Sequence, residues 1–134
     1  QRLGSEHVLV VHSEDGLDEI SLAADTHVAE LENDVLSEYT LQPGQLGFNR
    51  ESMEDLVVDD VASSLRLINS ALAGEKDPRS QRAAHMISLN AGAALYVAGV
   101  AQSISDGVKL ADDVLSSGAG LKKVQQLAEM TQGF

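Results

Sequence analysis

Val8-Leu9-Val10-Val11-His12-Ser13-Glu14-Asp15-Gly16-Leu17-Asp18-Glu19-Ile20-Ser21 is the stretch around which this chain is organised. The apolar run at residues 8–11 reads as a buried strand, and Gly16 marks the turn that follows it. A run apolar on both faces suits the middle of a parallel sheet. Four carboxylates, Glu14, Asp15, Asp18 and Glu19, then fall within six residues. Acids at the C-terminal end of a buried strand sit where open α/β sheets keep their ligand sites. No lysine or arginine occurs from Leu3 to Asn49. Two carboxylates about 4 Å apart repel by roughly 4 kcal/mol at an effective dielectric near about 20. Water, protonation or a bound cation must relieve that repulsion. The sharp reading is a divalent cation, Mg²⁺ first, which takes carboxylate oxygens and keeps positions open for phosphate. The plain alternative is a solvated acidic loop. Asp18 and Glu19 are neighbours, so a strand would send them to opposite faces. A tight loop lets both reach one cation or a pair of cations, which is why the break at Gly16 matters.

The composition narrows the classes. The chain has 134 residues, 43% of them hydrophobic, and is long enough for one domain with a core of its own. With two Phe, two Tyr and no Trp, that core must be aliphatic and alanine-rich. A net charge of −12 argues against nucleic acid and against anionic membrane surfaces. The absence of cysteine removes disulfides, thiolate zinc sites and a Cys nucleophile. No apolar stretch approaches the roughly 20 residues of a membrane span, and no signal peptide is visible. A cytoplasmic setting is the default expectation. Gln1-Arg2-Leu3-Gly4 reads as the tail of an element begun earlier, so the chain is expected to be a piece of something longer, with partners for the first strand upstream.

In order, residues 7–11 form the first strand and residues 12–19 the acidic loop. Residues 20–24 are an apolar connector. Residues 26–41 read as a β-hairpin turning at Asn33-Asp34, a pair that tolerates positive φ. From Ser52 the period becomes helical. Ser52 with Asp55 resembles a capping box. Val61, Leu65, Ile68 and Leu72 share a helical face that ends near Gly74. The longest helix is expected from about Pro78 to Val100, with Pro78 in its first turn. Its Gly92, Ala93, Ala94, Ala98 and Gly99 leave room for a close neighbour. Ser103 with Asp106 opens a further helix through Ile104, Val108, Ala111 and Leu115. Leu121, Val124 and Leu127 lie on the last. Three strands followed by four helices make one α/β domain over residues 1–134.

Several motifs carry less than they suggest. Asp15 to Glu19 fails as an EF-hand because its first ligand would fall on Val11. His12-Ser13-Glu14 contains the His-x-Glu of zinc deaminases without their cysteines. His7, His27 and His85 read as structural or surface residues. His12 opens the acidic loop and is the one histidine given a candidate substrate-binding role. Residues 117–123 read as a turn between helices, lacking P-loop spacing. Asn90, on an apolar stripe, reads as a buried amide bonded to backbone. No nucleophile elbow or Ser-His-Asp arrangement is present. Phosphate-binding glycines and basic side chains, which should accompany such a loop, are absent near it.

Residues 10–21 resemble the metal-binding signature of the anthranilate phosphoribosyltransferase family. Leu89-Asn90-Ala91-Gly92-Ala93-Ala94-Leu95-Tyr96-Val97-Ala98-Gly99 resembles that family's late helix, and residues 107–111 and 116–119 also fit. Ser13 stands where many members have Gly. The resemblance implies a three-layer α/β/α domain of the phosphoribosyltransferase and nucleoside-phosphorylase type, incomplete here. It implies the C-terminal portion of the large catalytic domain. It implies phosphoribosyl transfer from phosphoribosyl diphosphate to anthranilate in tryptophan biosynthesis, with Mg²⁺ at Asp18 and Glu19 and no protein nucleophile. The family's diphosphate loop, its Lys-His-Gly-Asn segment and its anthranilate-contacting arginine region belong upstream, as does the helical domain through which members usually form homodimers. Two other readings remain open at this point: a related phosphorylase or phosphoribosyltransferase of the same fold, and a non-catalytic helical module whose acidic loop attracts basic partners.

Overall fold

The computed structural model describes residues 1–133. Strands β1 (His7–Ser13), β2 (Thr26–Glu32) and β3 (Val35–Leu41) form one sheet in the order β1-β2-β3. Helices α1 (Val61–Leu72), α2 (Pro78–Val97), α3 (Ile104–Ser116) and α4 (Ala119–Thr131) follow. Short 3₁₀ turns at Pro43–Leu46 and Glu54–Leu56 bridge the two halves.

The pairing of β1 with β2 corrects one part of the sheet expectation. β1 is antiparallel to β2, which is antiparallel to β3, and β1 lies at the edge of the three-strand sheet. A parallel pair needs a crossover, usually helical. Residues 14–25 contain no helix and return the chain directly beside β1. The apolar run is two-faced for a different reason. Leu9 and Val11 pack against the core, while Val10 faces away and is 64% exposed.

The β2–β3 turn is as expected. Asn33 and Asp34 take φ of 49° and 63°, the left-handed pair of a two-residue hairpin turn. The helices begin at side-chain caps. Asp60 accepts from Ser63 N–H, Asp77 from Arg79 and Ser80 N–H, and Ser103 from Asp106 N–H. Pro78 occupies the first turn of α2. That helix ends at Val97, short of the expected Val100, where Gly99 takes a φ of 69°. Ser52 accepts from Glu54 N–H at 3.3 Å, but only a 3₁₀ turn follows it.

The core joins one face of the sheet to α2 and α3 through Val28, Leu41, Leu89, Ala93, Ile104 and Val108. Ile20 and Leu22, from the connector after the acidic loop, belong to the same cluster at 3% and 0% exposure. Burying each stabilises by about 1.5–3 kcal/mol. The loop is therefore anchored from below. The small residues of α2 meet α3, whose Gly107 comes so close that a Cβ there would overlap the Gly92 carbonyl oxygen.

One buried carboxylate sits in this core. Glu30, on the helix-facing side of β2, accepts from Tyr39 Oη at 2.8 Å and pairs with His7 Nε2 at 2.9 Å. Burial pushes its carboxyl up, but hydrogen bonds from His7, Tyr96 and Tyr39 together outweigh that and hold it below the usual 4.5. The Tyr96 hydroxyl is raised to about 12 by its hydrogen bond to Glu30, by burial and by the Glu30 charge. A group lowered on folding stabilises the fold above its unfolded value, and that contribution disappears as pH falls through the folded value. Glu30→Gln should therefore lose less stability than the unsubstituted chain between about pH 7 and about pH 3. Urea midpoints at the two pH values check this. Parallel declines would show that Glu30 carries no pH-linked stability.

Candidate functional site

Residues 14–25 leave the end of β1 and are held by their own backbone. Ser13 N–H donates to Leu17 O at 2.9 Å, Gly16 N–H to Ser13 O at 2.9 Å and Glu14 N–H to Asp25 O at 2.9 Å. Gly16 supplies a φ of 91° at the tight point. Ser13, Ser21 and Thr26 are fully buried beneath the loop. Thr26 Oγ1 accepts from Ser21 N–H at 3.2 Å, and Ser21 Oγ donates to Asp15 Oδ2 at 2.6 Å. Burial pushes the Asp15 carboxyl up, but hydrogen bonds from Ser21, Ser13 and the Leu17 backbone hold it below the ordinary value. Asp15 is thus a brace of the loop. Its spacing beside Glu14 gave no hint of that, because the signal was Ser21, six positions on.

Behind the loop, Arg50 closes residues 23–25. It donates to Ala23 O at 3.2 Å and pairs with Asp25. This is the first cation after the long stretch without one, and it binds the rear of the loop, away from positions 18 and 19 in sequence.

The two central acids differ from their neighbours. Asp18 and Glu19 are exposed, and among the described residues neither carboxylate has a hydrogen-bond or ion-pair partner. Free, hard oxygen donors on a fixed loop fit Mg²⁺, which binds through one or two carboxylates and completes its shell with water and phosphate. Among the described residues no group of three or more His, Asp or Glu side chains is placed to hold a metal ion.

Glu19 and Ile20 border a cleft of about 430 Å³ between the edge of β1 and α2, lined otherwise by His7, Leu9, Asn90, Ala94 and Val97. Asn90 is bonded to backbone as expected. Its Oδ1 accepts from Ile20 N–H at 2.9 Å, and its Nδ2 donates to Ile20 O at 3.0 Å and to Met86 O at 3.1 Å. The partner, seventy positions away, was not visible in the sequence. His12 lies elsewhere. It pairs in register with His27 on the sheet face opposite the core, where the two line a shallow cleft with Val10, Ala29, Glu38 and Thr40. Glu14 reaches His27 on that side at 3.6 Å. Among the described residues no helix is long and apolar enough to cross a membrane.

The chain belongs to the glycosyl transferase family, as its a/b domain; the family model matches residues 1–121. Its relatives within that family are anthranilate phosphoribosyltransferases. The enzyme of Saccharophagus degradans is 54% identical over 130 residues, covering 97% of this chain and 38% of the relative. The chain thus spans about two fifths of the curated relatives it matches. Among solved structures, the Thermus thermophilus anthranilate phosphoribosyltransferase superposes with a TM-score of 0.79 at 33% identity, over 93% of this chain and 35% of that one. The Saccharomyces cerevisiae enzyme in complex with PRPP and Mg superposes with a TM-score of 0.79 at 18% identity, over 94% and 35%, which shows a shared fold. The resemblance drawn from residues 10–21 and 89–99 holds along the chain.

Proposed function

We propose that this chain is the C-terminal portion of the large α/β domain of an anthranilate phosphoribosyltransferase and supplies its metal-binding acids. The observation that carries the reading is the state of Asp18 and Glu19: exposed, without partners among the described residues, and fixed on a loop anchored in the core. The substrates are phosphoribosyl diphosphate and anthranilate, the latter accepting the phosphoribosyl group in tryptophan biosynthesis. An anthranilate phosphoribosyltransferase of the same fold, in complex with PRPP and Mg, supports this. The remaining partners are the rest of the enzyme and its homodimer mate, in the cytoplasm.

In this mechanism Asp18 and Glu19 would hold Mg²⁺. When bound, the ion offsets the charge that grows on diphosphate as it leaves. The residues of this chain keep the two carboxylates in place: Ile20 and Leu22 bury the loop's end, and Asp15 with Ser21 fixes its beginning. No side chain here acts as a nucleophile. His12 is left as a candidate substrate contact from the opposite sheet face.

The same reading requires that the chain alone be inactive, because an acid pair holds diphosphate only through metal and no basic phosphate clamp lies on this loop. Purified chain assayed with both substrates and Mg²⁺ is expected to show no turnover. Clear turnover would sink the proposal. A magnesium titration with and without phosphoribosyl diphosphate separates it from a purely acidic binding module, which would show no dependence of one ligand on the other.

A further inference from the structure

Between Leu17 and Ile20 lie just two residues, Asp18 and Glu19. Both neighbours are held. The Leu17 carbonyl accepts from Ser13 N–H at 2.9 Å. Ile20 has both backbone groups taken by one side chain: its N–H donates to Asn90 Oδ1 at 2.9 Å and its carbonyl accepts from Asn90 Nδ2 at 3.0 Å. An amide side chain here does what a neighbouring strand would do, and it does so from the middle of α2. A third bond, from Nδ2 to Met86 O at 3.1 Å, fixes the Asn90 amide to its own helix.

We propose that Asn90 is the positioning residue of the acidic pair, setting the backbone on which Asp18 and Glu19 present their carboxylates to a divalent cation. The proposal rests on the metal reading above and extends it to α2. Burial of the Ile20 side chain at 3% exposure fixes where that residue sits. It does not fix the rotation of the peptides on either side, which sets where the Glu19 side chain points. The paired hydrogen bonds of Asn90 fix that rotation. Removing them should leave the core packed and let the acidic pair lose its common aim. Outer partners of metal ligands typically change affinity by about 10- to 100-fold.

The test uses the 134-residue chain and Mn²⁺, a paramagnetic ion of the same oxygen preference as Mg²⁺. Amide signals are followed by NMR as Mn²⁺ is added. Broadening should centre on Asp18 and Glu19. Asn90→Ala should raise the half-saturating Mn²⁺ concentration by about tenfold and speed hydrogen exchange of the Ile20 amide. Asn90→Leu, which keeps the branched outline of Asn but makes no hydrogen bonds, should do the same while melting cooperatively. Wild-type half-saturation in either variant, with the Ile20 amide freed, overturns the proposal. So does wholesale unfolding of both variants, which would make Asn90 a residue of the fold. If broadening in the unsubstituted chain fails to centre on Asp18 and Glu19, the metal reading itself has failed, and the positioning role falls with it.

Discussion

Asp18→Asn and Glu19→Gln, each made in a full-length anthranilate phosphoribosyltransferase carrying these 134 residues, are expected to lower turnover by roughly 10²–10³-fold. The Saccharophagus degradans enzyme, 54% identical over the matched segment, is a suitable host for the graft. An amide keeps the volume of the carboxylate and removes its charge. Both side chains are exposed and without partners among the described residues, so packing should not register the change. Relief of like-charge repulsion should leave the melting temperature equal or slightly higher. Catalysis should register it, because departure of diphosphate needs a correctly held cation. Added Mg²⁺ should recover part of the loss if weak binding is the defect. Glu14→Gln should do least, since its carboxylate reaches only toward exposed His27. Asp15→Asn should fall between, because it weakens the 2.6 Å bond from Ser21 that braces the loop. Steady-state rates over a magnesium series, with thermal melts as the folding control, decide the matter. Near-normal rates for both central variants at low Mg²⁺ would refute the assignment. A collapsed melting transition would make the acids structural.

Much of this loop was legible in the order of residues, because its cues are local. An apolar run, a glycine and four acids within a few positions mark a strand, a turn and a negatively charged loop. The cap at Ser103, the first-turn proline Pro78 and the Asn33-Asp34 turn are equally local, and each is found where the pattern put it. What was not legible depends on partners far along the chain. The antiparallel direction of β1 is decided by where β2 returns, and an apolar tetrapeptide carries no information on that. The clamp of Asn90 on Ile20 spans seventy positions. A helical stripe announces that Asn90 faces inward, but not which backbone it meets. The bracing role of Asp15 was hidden for the opposite reason: it stands among acids of the same type, and nothing in its spacing separates the one that bonds a hydroxyl from the pair without partners among the described residues.

Gly107→Ala is expected to destabilise the chain by about 3 kcal/mol or more, although it places a better helix former in a helix. Two effects oppose each other here. Alanine gains up to about 1 kcal/mol over glycine in helical backbone. Against this, overpacking a filled site costs typically about 1–3 kcal/mol, and more where the obstructing atoms cannot move aside. At Gly107 the obstruction is backbone: the new Cβ would overlap the Gly92 carbonyl oxygen of α2. The reverse substitution meets the same barrier, since a Cβ on Gly92 would stand 2.5 Å from Val108 N. Neither helix can yield without parting α2 from α3 and opening the core around Leu89 and Val108, which are 0% and 3% exposed. Gly120 is the control. It also lies in a helix, but its Cβ would meet only the ends of side chains, Leu72 Cδ2 at 3.2 Å and Leu115 Cδ2 at 3.7 Å. Those can shift by a few tenths of an ångström, so Gly120→Ala should be neutral or slightly stabilising. The same substitution thus changes sign between α3 and α4. A loss of about 3 kcal/mol lowers the melting temperature by roughly 10 °C in a domain of this size. Gly92 lies two positions beyond Asn90, so a wedge at this crossing should also loosen the Ile20 clamp and speed exchange of its amide. Equal melting temperatures for Gly107→Ala and Gly120→Ala would show that the helices part at no cost, and that the close crossing does not hold the acidic loop in place.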